Sequence, residues 1–454
     1  MNVRGREKYL RTYGISPQRP LVAASVEGIE QAVVIPALAE RDSLFRTLAS
    51  IARNRASDLQ RTLVICVVNN HRRPLTADAE FADNQKTLPI LQSLVFRRPV
   101  HPDLSDGIRG DLQSVAGSDL RLAFIDASSP GLEIPDRDGG VGTARKIGMD
   151  AALGIVDARA AGGGVICCLD ADTLVEENYL SAFRVYFTQA GDPAAVAAYA
   201  HQASDNPRLM AAICCYEIFL RSYVIGLSYA ASPYAFHSIG STMACSAEGY
   251  LDVRGMNRRR AAEDFHFLNK LAKIGRIGAI TETTVFPSPR PSGRVPFGTG
   301  RRMLRFLTGG VDEYRLYDPM IFVILKKWLA AMEADPDRDL EAILAGARRI
   351  HACLEEYLRL SRFAEGWNLI RKNCRDTGQL RRQFPVWFDG LKTLKMVHHL
   401  SQSAFPLIPM FDGLKKLIAL WDRPLSRVIT YEGIPKLDEQ FRILETLRSD
   451  FPHS

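Results

Sequence analysis

None of the eight cysteines in this 454-residue chain forms a Cys-x-x-Cys pair, and four stand as neighbours, Cys167-Cys168 and Cys214-Cys215. Neighbouring cysteines are poorly placed to bridge each other. The pattern therefore argues against a disulfide framework or a zinc ribbon and for cysteine as a small core residue of a reduced, cytoplasmic protein. No apolar signal segment follows Met1-Asn2-Val3-Arg4-Gly5-Arg6-Glu7. No run reaches the ~18–20 uninterrupted apolar residues expected of a spanning helix. Phe322-Val323-Ile324-Leu325 stops at Lys326-Lys327, and Leu407 to Leu420 is broken by Pro409, Asp412 and two lysines. Repeats, low-complexity segments and a P-loop Gly-Lys-Ser/Thr are also missing. There is no basic stripe interleaved with aromatics, which argues against nucleic acid. The formal charge of +7 then fits anionic small molecules or peripheral contact with the inner membrane face. With 46% hydrophobic and 24% charged residues, the chain has ordinary globular composition for two or three domains.

What is present is organised around Val165-Ile166-Cys167-Cys168-Leu169-Asp170-Ala171-Asp172-Thr173. The apolar run reads as a strand buried on both faces, following Gly162-Gly163-Gly164. It delivers two carboxylates to the C-terminal edge of a sheet, where open α/β sheets bind ligands. Two acids so close need a compensating cation, and hard oxygen donors suit Mg²⁺ or Mn²⁺ with a substrate diphosphate. The bland alternative is that Asp170 or Asp172 caps a helix beginning near Leu174.

The rest of the pattern alternates strand and helix. Strands are expected at Gln31–Pro36, Leu63–Val68, Leu122–Asp126, Ala195–Tyr199 and Ile277–Phe286, with helices between them. The second strand ends in Asn69-Asn70-His71, so polar groups again fall at the ligand edge. Gly139-Gly140-Val141-Gly142-Thr143-Ala144-Arg145-Lys146 is a glycine loop opening a helix, with two cations suited to an anionic ligand. The same residues also serve as a plain helix start. Ala211 to Leu227 reads as a buried helix. Ser232 to Ser246 carries small hydroxyls, aromatics and His237; His237 and Ser241 are the candidate acceptor-side residues. Glu263 and Asp264 open a further helix, where the dipole favours carboxylates, so capping competes with catalysis. Arg290 to Arg302 is an arginine- and glycine-rich loop suited to closing over an anion. Beyond about Met303 strand signals give way to helical periodicity at Asp318–Met332, Asp339–Leu360, Gln379–Leu394 and Leu437–Leu447.

The ordered set Val33-Val34-Ile35-Pro36 with Glu40, Asn69-Asn70, Gly142-Thr143-Ala144-Arg145-Lys146-Ile147-Gly148, Leu169-Asp170-Ala171-Asp172 and Ala262-Glu263-Asp264-Phe265 resembles the family 2 glycosyltransferases. The resemblance implies an α/β GT-A fold, Rossmann-like with a mostly parallel sheet, over residues 31–300. Residues 1–30 would be an N-terminal extension and 301–454 an additional helical C-terminal region. It further implies a nucleotide-diphosphate sugar donor, a hydroxyl acceptor and Mn²⁺ or Mg²⁺. Pro36, Ala37, Leu38, Glu40, Asn70, Gly142, Arg145, Asp170 and Arg301 would then lie on the nucleotide side. Asp172, with Asp170, would hold the metal. Asp264, beside Glu263, would be the base of an inverting transferase. Two positions depart from the family pattern: Asn70 replaces a frequent aspartate, and Lys146 a frequent asparagine. A retaining GT-A enzyme acting on a small solute, a nucleotidyltransferase and a non-catalytic scaffold are the competing readings. The helical region can shape the acceptor site, mediate a homodimer or lie on a membrane surface.

Overall fold

The computed structural model describes residues 3–15, 19–72, 75–99, 106–136, 139–157, 159–160, 162–294, 296, 298–421 and 433–451. Its contacts divide the chain into two compact units: 1–202 with 238–289 and 294–297, and 203–237 with 290–293 and 298–454.

The first unit opens with helix α1 (Val3–Tyr13) and a short strand β1 (Leu21–Ala23). Then follow β2 (Gln31–Ala37), α2 (Arg41–Ala52), α3 (Ala56–Leu59), β3 (Thr62–Asn69), α4 (Asp78–Val95), α5 (Asp106–Ala116) and β4 (Arg121–Ala127). Next come α6 (Val141–Ile155), β5 (Val165–Cys168), β6 (Leu174–Val175), α7 (Tyr179–Gln189) and β7 (Ala194–Tyr199). After α8 (Pro207–Tyr229), which belongs to the second unit, the chain returns with β8 (Met243–Ser246), α9 (Ala247–Asp252), α10 (Glu263–Leu271) and β9 (Ile277–Phe286). The nine strands form one sheet in the order β1-β4-β3-β2-β5-β8-β7-β9-β6. Strands β4, β3, β2 and β5 are parallel, while β1, β8 and β6 run antiparallel to their neighbours. This is the expected α/β architecture with a largely parallel sheet.

The parallel block follows from composition. Every residue of β2, β3 and β5 is buried, as continuous Val/Ile/Cys runs require when helices cover both faces. Helix α6 packs directly on that face. A Cβ at Gly148 would lie 2.4 Å from Val34 Cγ1 and 2.9 Å from Val67 Cγ2, so only glycine permits the approach. The order reverses at β2, which has β3 on one side and β5 on the other. A crevice opens at the carboxyl ends of strands flanking such a switch point.

Residues 3–30 are part of this unit. Strand β1 pairs with β4, from Leu21 opposite Ile125 to Ala23 opposite Ala123. From α1, Tyr9 is buried and donates to Asp150 Oδ1 at 2.9 Å. Tyr250 donates to the same oxygen at 2.7 Å. Lys146 Nζ lies 3.0 Å from Asp150 Oδ2 and 2.8 Å from the Tyr9 hydroxyl. Lys146, a departure from the family pattern, is thus the buried counter-ion of Asp150. Burial lowers its pKa, and Asp150 works against that shift.

The second unit is helical: α8, α11 (Thr299–Thr308), α12 (Met320–Ala334), α13 (Leu340–Ile350), α14 (Ala352–Leu360), α15 (Phe363–Asn373), α16 (Thr377–Trp387), α17 (Gly390–Ser403), α18 (Met410–Ala419) and α19 (Leu437–Asp450). One two-stranded ribbon joins β10 (Arg315–Leu316) to β11 (Ile408–Pro409). The expected helix over 339–360 is two helices, broken at His351, whose side chain caps the second by accepting from Cys353 N. The arginine-rich segment expected as a loop to Arg302 is already helical from Thr299; Val295 and Phe297 within it lie outside the described residues. Trp328, Trp367, Phe363, Phe384 and Phe388 form the aromatic centre of this unit's core.

Helix α8 is the buried helix expected over Ala211 to Leu227. By length and composition it is long and apolar enough to cross a membrane, although 61% of its most apolar window is buried. Glu217 and Arg221 interrupt its apolar run. Glu217 is fully buried and carries two arginines, Arg221 at 3.0 Å and Arg448 at 2.8 Å. Packing against α11, α18 and α19 makes α8 the central helix of this unit.

The Lys146–Asp150 pair generates a test. Lys146→Met leaves a buried carboxylate without its cation, so unfolding in urea should show a loss of about 3–5 kcal/mol. A change below 1 kcal/mol would mean that the pair does not anchor α1.

Candidate active site

The turn carrying the two acids is built from backbone bonds outward. Leu169 N donates to Val34 O at 3.0 Å, so the chain leaves β5 still paired to β2. Thr47 Oγ1 holds Ala171 O at 2.9 Å, and Gln202 Nε2 holds Asp172 O at 2.8 Å. Residues 174–175 are a strand paired with the end of β9, and the next helix begins at Tyr179. Neither aspartate therefore caps a helix near Leu174, which removes the bland reading of this motif.

Arg145, one turn into α6, is the centre of the site. Its side chain is 3% exposed. Its Nη2 lies 2.5 Å from Asp170 Oδ1 and its Nε 3.0 Å from Glu263 Oε1. Burial alone would lower the Arg145 pKa; Asp170 and then Glu263 overcome this and raise it, so the guanidinium is permanently charged. One of its nitrogens, Nη1, is buried with no hydrogen-bond partner among the described residues. Gly240 sits against the guanidinium, where a Cβ would lie 2.1 Å from Nη2. The second oxygen of Asp170 accepts from Ser241 Oγ at 2.6 Å, and Thr173 Oγ1 donates to Ser241 at 3.0 Å. Both Ser241 and Thr173 are fully buried.

The start of α10 is placed by close packing. A Cβ at Gly142 would lie 2.5 Å from Arg259 O and 2.9 Å from Glu263 Cβ; one at Gly140, where φ is +125°, would lie 2.6 Å from Arg260 Cα. The glycines thus let the first turn of α6 touch residues 257–263. Ala262 precedes α10 with φ +55°, a left-handed conformation that costs a non-glycine residue about 1–2 kcal/mol. Strain of this kind concentrates at functional sites. Glu263 is buried on Arg145, whereas Asp264 is only partly covered. Burial pushes the Asp264 carboxyl up to about 7, and the Glu263 charge adds to the shift; the Phe265 N–H and Arg145 oppose it.

The other expected residues fall as follows. Pro36 and Ala37 are buried at the end of β2, and Leu38 is half-buried just beyond. Glu40 accepts from Ser43 Oγ at 2.7 Å and pairs with Arg294 at 2.6 Å. Asn70 is buried, with both ends of its amide used: it donates to His71 O at 2.8 Å and accepts from Asn84 Nδ2 at 3.1 Å and from Ser128 Oγ. Asn70 thus ties β3 to α4 and to the end of β4. Ser241 supports Asp170 from below. His237 is buried in the second unit, and Arg301 is exposed near the start of α11 in the same unit. Sequence reasoning missed Thr173, Gly240 and the bridging role of Arg145. The run Gly240-Ser241-Thr242 was the available signal for Gly240, and the place directly after Asp170-Ala171-Asp172 for Thr173.

Among the described residues no three His, Cys, Asp or Glu side chains gather as a metal cluster. Asp170 and Asp172 are both partly exposed in this turn and are the acids placed to meet a cation. Mg²⁺ and Mn²⁺ commonly take one or two carboxylates and complete their shell with phosphate and water, so the donor set fits.

No family model matches the chain. No curated protein matches it in sequence. Solved structures align with most of its length at low scores. The 1–349 segment of TarS from S. aureus in complex with UDP-GlcNAc is 14% identical, covers 92% of each chain and gives a TM-score of 0.37. The same segment in complex with UDP is 12% identical, covers 92% of this chain and 91% of its own, and scores 0.35. The mannosyltransferase PcManGT from Pyrobaculum calidifontis, in complex with GDP-Man and Mn²⁺, is 14% identical, covers 98% of this chain and 93% of its own, and scores 0.32. Likeness at this level carries no functional inference, and the site stands on its own geometry.

Asp264 makes stability depend on pH. Its folded pKa lies above the ordinary 3.8, so the unfolded chain ionises first and stability falls as pH rises from about 4 to about 7. Asp264→Asn removes that loss. Its melting temperature should therefore exceed that of the parent chain by a margin that grows from pH 4 to 7 and is flat above 7. A margin that does not change with pH would contradict the raised pKa.

Proposed function

We propose that the first unit is a family 2, GT-A-type transferase that moves a sugar from a nucleotide diphosphate to an acceptor hydroxyl with inversion. The observation that supports this most is the Arg145 bridge. It holds Asp170, beside Asp172, and Glu263, beside Asp264, at one edge of the sheet. Acids suited to opposite ends of a transfer reaction are thereby fixed to one cation.

Each group has a task suited to its environment. Asp172, with Asp170, would hold Mn²⁺ or Mg²⁺, which would supply charge neutralisation for the departing diphosphate. The permanent charge of Arg145, held against Asp170, adds positive potential where a diphosphate would lie. The glycine turn before α6 lets a ligand approach its N–H groups. Asp264 takes the proton of the acceptor hydroxyl as that oxygen attacks the anomeric carbon and the carbon–diphosphate bond breaks. A carboxyl raised by burial and by the Glu263 charge is a stronger base than an ordinary aspartate. Glu263, spent on Arg145, orients the start of α10.

Three outcomes follow. Asp264→Asn should keep donor affinity within about threefold while lowering kcat by about 10²–10⁴, the usual worth of a general base. Normal turnover in that variant would refute the base assignment. In the parent chain, log kcat/KM should rise with unit slope below about pH 7 and level off above it, because the base acts only when deprotonated. Proton NMR of the product should show the inverted anomer; retention would assign Asp264 to positioning the acceptor.

A further inference from the structure

The second unit contains a pocket of about 440 Å³ where the end of α12 meets α13, within the size range of small-ligand sites. Its floor is apolar: Ala331, Met332, Ile343 and Ala347. Gly346 keeps one wall open, since a Cβ there would meet nothing nearer than Arg349 Nη2 at 3.8 Å. The mouth is cationic. Lys327 and Arg349 are exposed and have no carboxylate partner among the described residues. Arg338, the third cation, is held by Asp335 at 3.1 Å. Trp328 lines the pocket, and its Nε1 is buried without a hydrogen-bond partner among the described residues. An apolar floor and two uncompensated cations are complementary to one kind of molecule.

We propose that this pocket binds an anionic amphiphile, with an alkyl chain over Met332, Ile343 and Ala347 and its charged head on Lys327 and Arg349. The head group is a carboxylate or a phosphate monoester, since both satisfy two separate cations. The site lies wholly within the helical unit and is independent of the reaction assigned to the first unit. Alkyl burial sets affinity, while the cations select against a positive head.

Isothermal titration calorimetry of the full chain with decanoate, decyl phosphate and decyltrimethylammonium, each below its micelle concentration, tests this. At least one anion should bind saturably at one site, and the cation should bind at least tenfold more weakly. The tighter anion identifies the head group. Gly346→Leu fills the pocket and improves helix propensity, so it should fold and weaken binding at least tenfold. Exchanging both cations, Lys327→Glu with Arg349→Glu, should weaken anion binding as strongly, and circular dichroism should show an unchanged fold. Equal binding of the cation, no saturable anion binding, or anion binding unaffected by Gly346→Leu would each overturn the proposal.

Discussion

A buried guanidinium is costly to desolvate, and Arg145 is tolerable only because two carboxylates meet it. That requirement constrains much of the first unit. Asp170 must leave β5 in one orientation, so Leu169 stays paired to β2 and Ser241 closes the second carboxylate oxygen. Glu263 must reach the same cation, so α10 starts from a strained Ala262. Gly140, Gly142 and Gly240 are small because the backbone passes too close for a side chain. The electrostatic pairing and the steric openings are two sides of one arrangement.

The arrangement separates acids that the sequence presents alike. Glu263 is buried on Arg145 and acts as a support, whereas the Asp170 side chain stays 36% exposed beside its partners. Asp172 and Asp264, each one or two residues away, are likewise partly exposed. The charge on Glu263 raises the proton affinity of Asp264, while Arg145 moderates it. A second buried pair, Lys146 with Asp150, lies on the same helix and fastens α1 to it through Tyr9. Helix α6 therefore carries two consecutive buried cations with different duties, one toward the site and one toward the N-terminal helix.

Much of this was legible in the sequence, and the failures have physical causes. Strands β2, β3, β4, β5 and β7 announce themselves because buried strands of this sheet are continuous apolar runs, and β9 by its β-branched alternation. Strands β1, β6 and β8, of three, two and four residues, exist through pairing with a neighbour and carry no local signal. The break at His351 is invisible to periodicity because both helices share the same apolar spacing. The acids and the glycine loop were found by type and order. Their division into supports and exposed groups was not, since it depends on contacts between residues more than a hundred positions apart, as with Arg145 and Glu263. Asn70 was read as ligand-facing from its place after a strand and Ser241 from its setting among small hydroxyls and aromatics; both are buried and bonded to neighbouring protein groups.

The central claim is that this cluster of acids around Arg145 recognises a nucleotide-diphosphate sugar through a divalent cation. Calorimetric titration of UDP- and GDP-sugars into the full chain, with and without Mn²⁺, measures that most directly. Saturable binding of at least one donor only in the presence of Mn²⁺, lost in Asp172→Asn, is the predicted result. Absence of metal-dependent binding by any such donor, in a chain shown to be folded, would contradict the account.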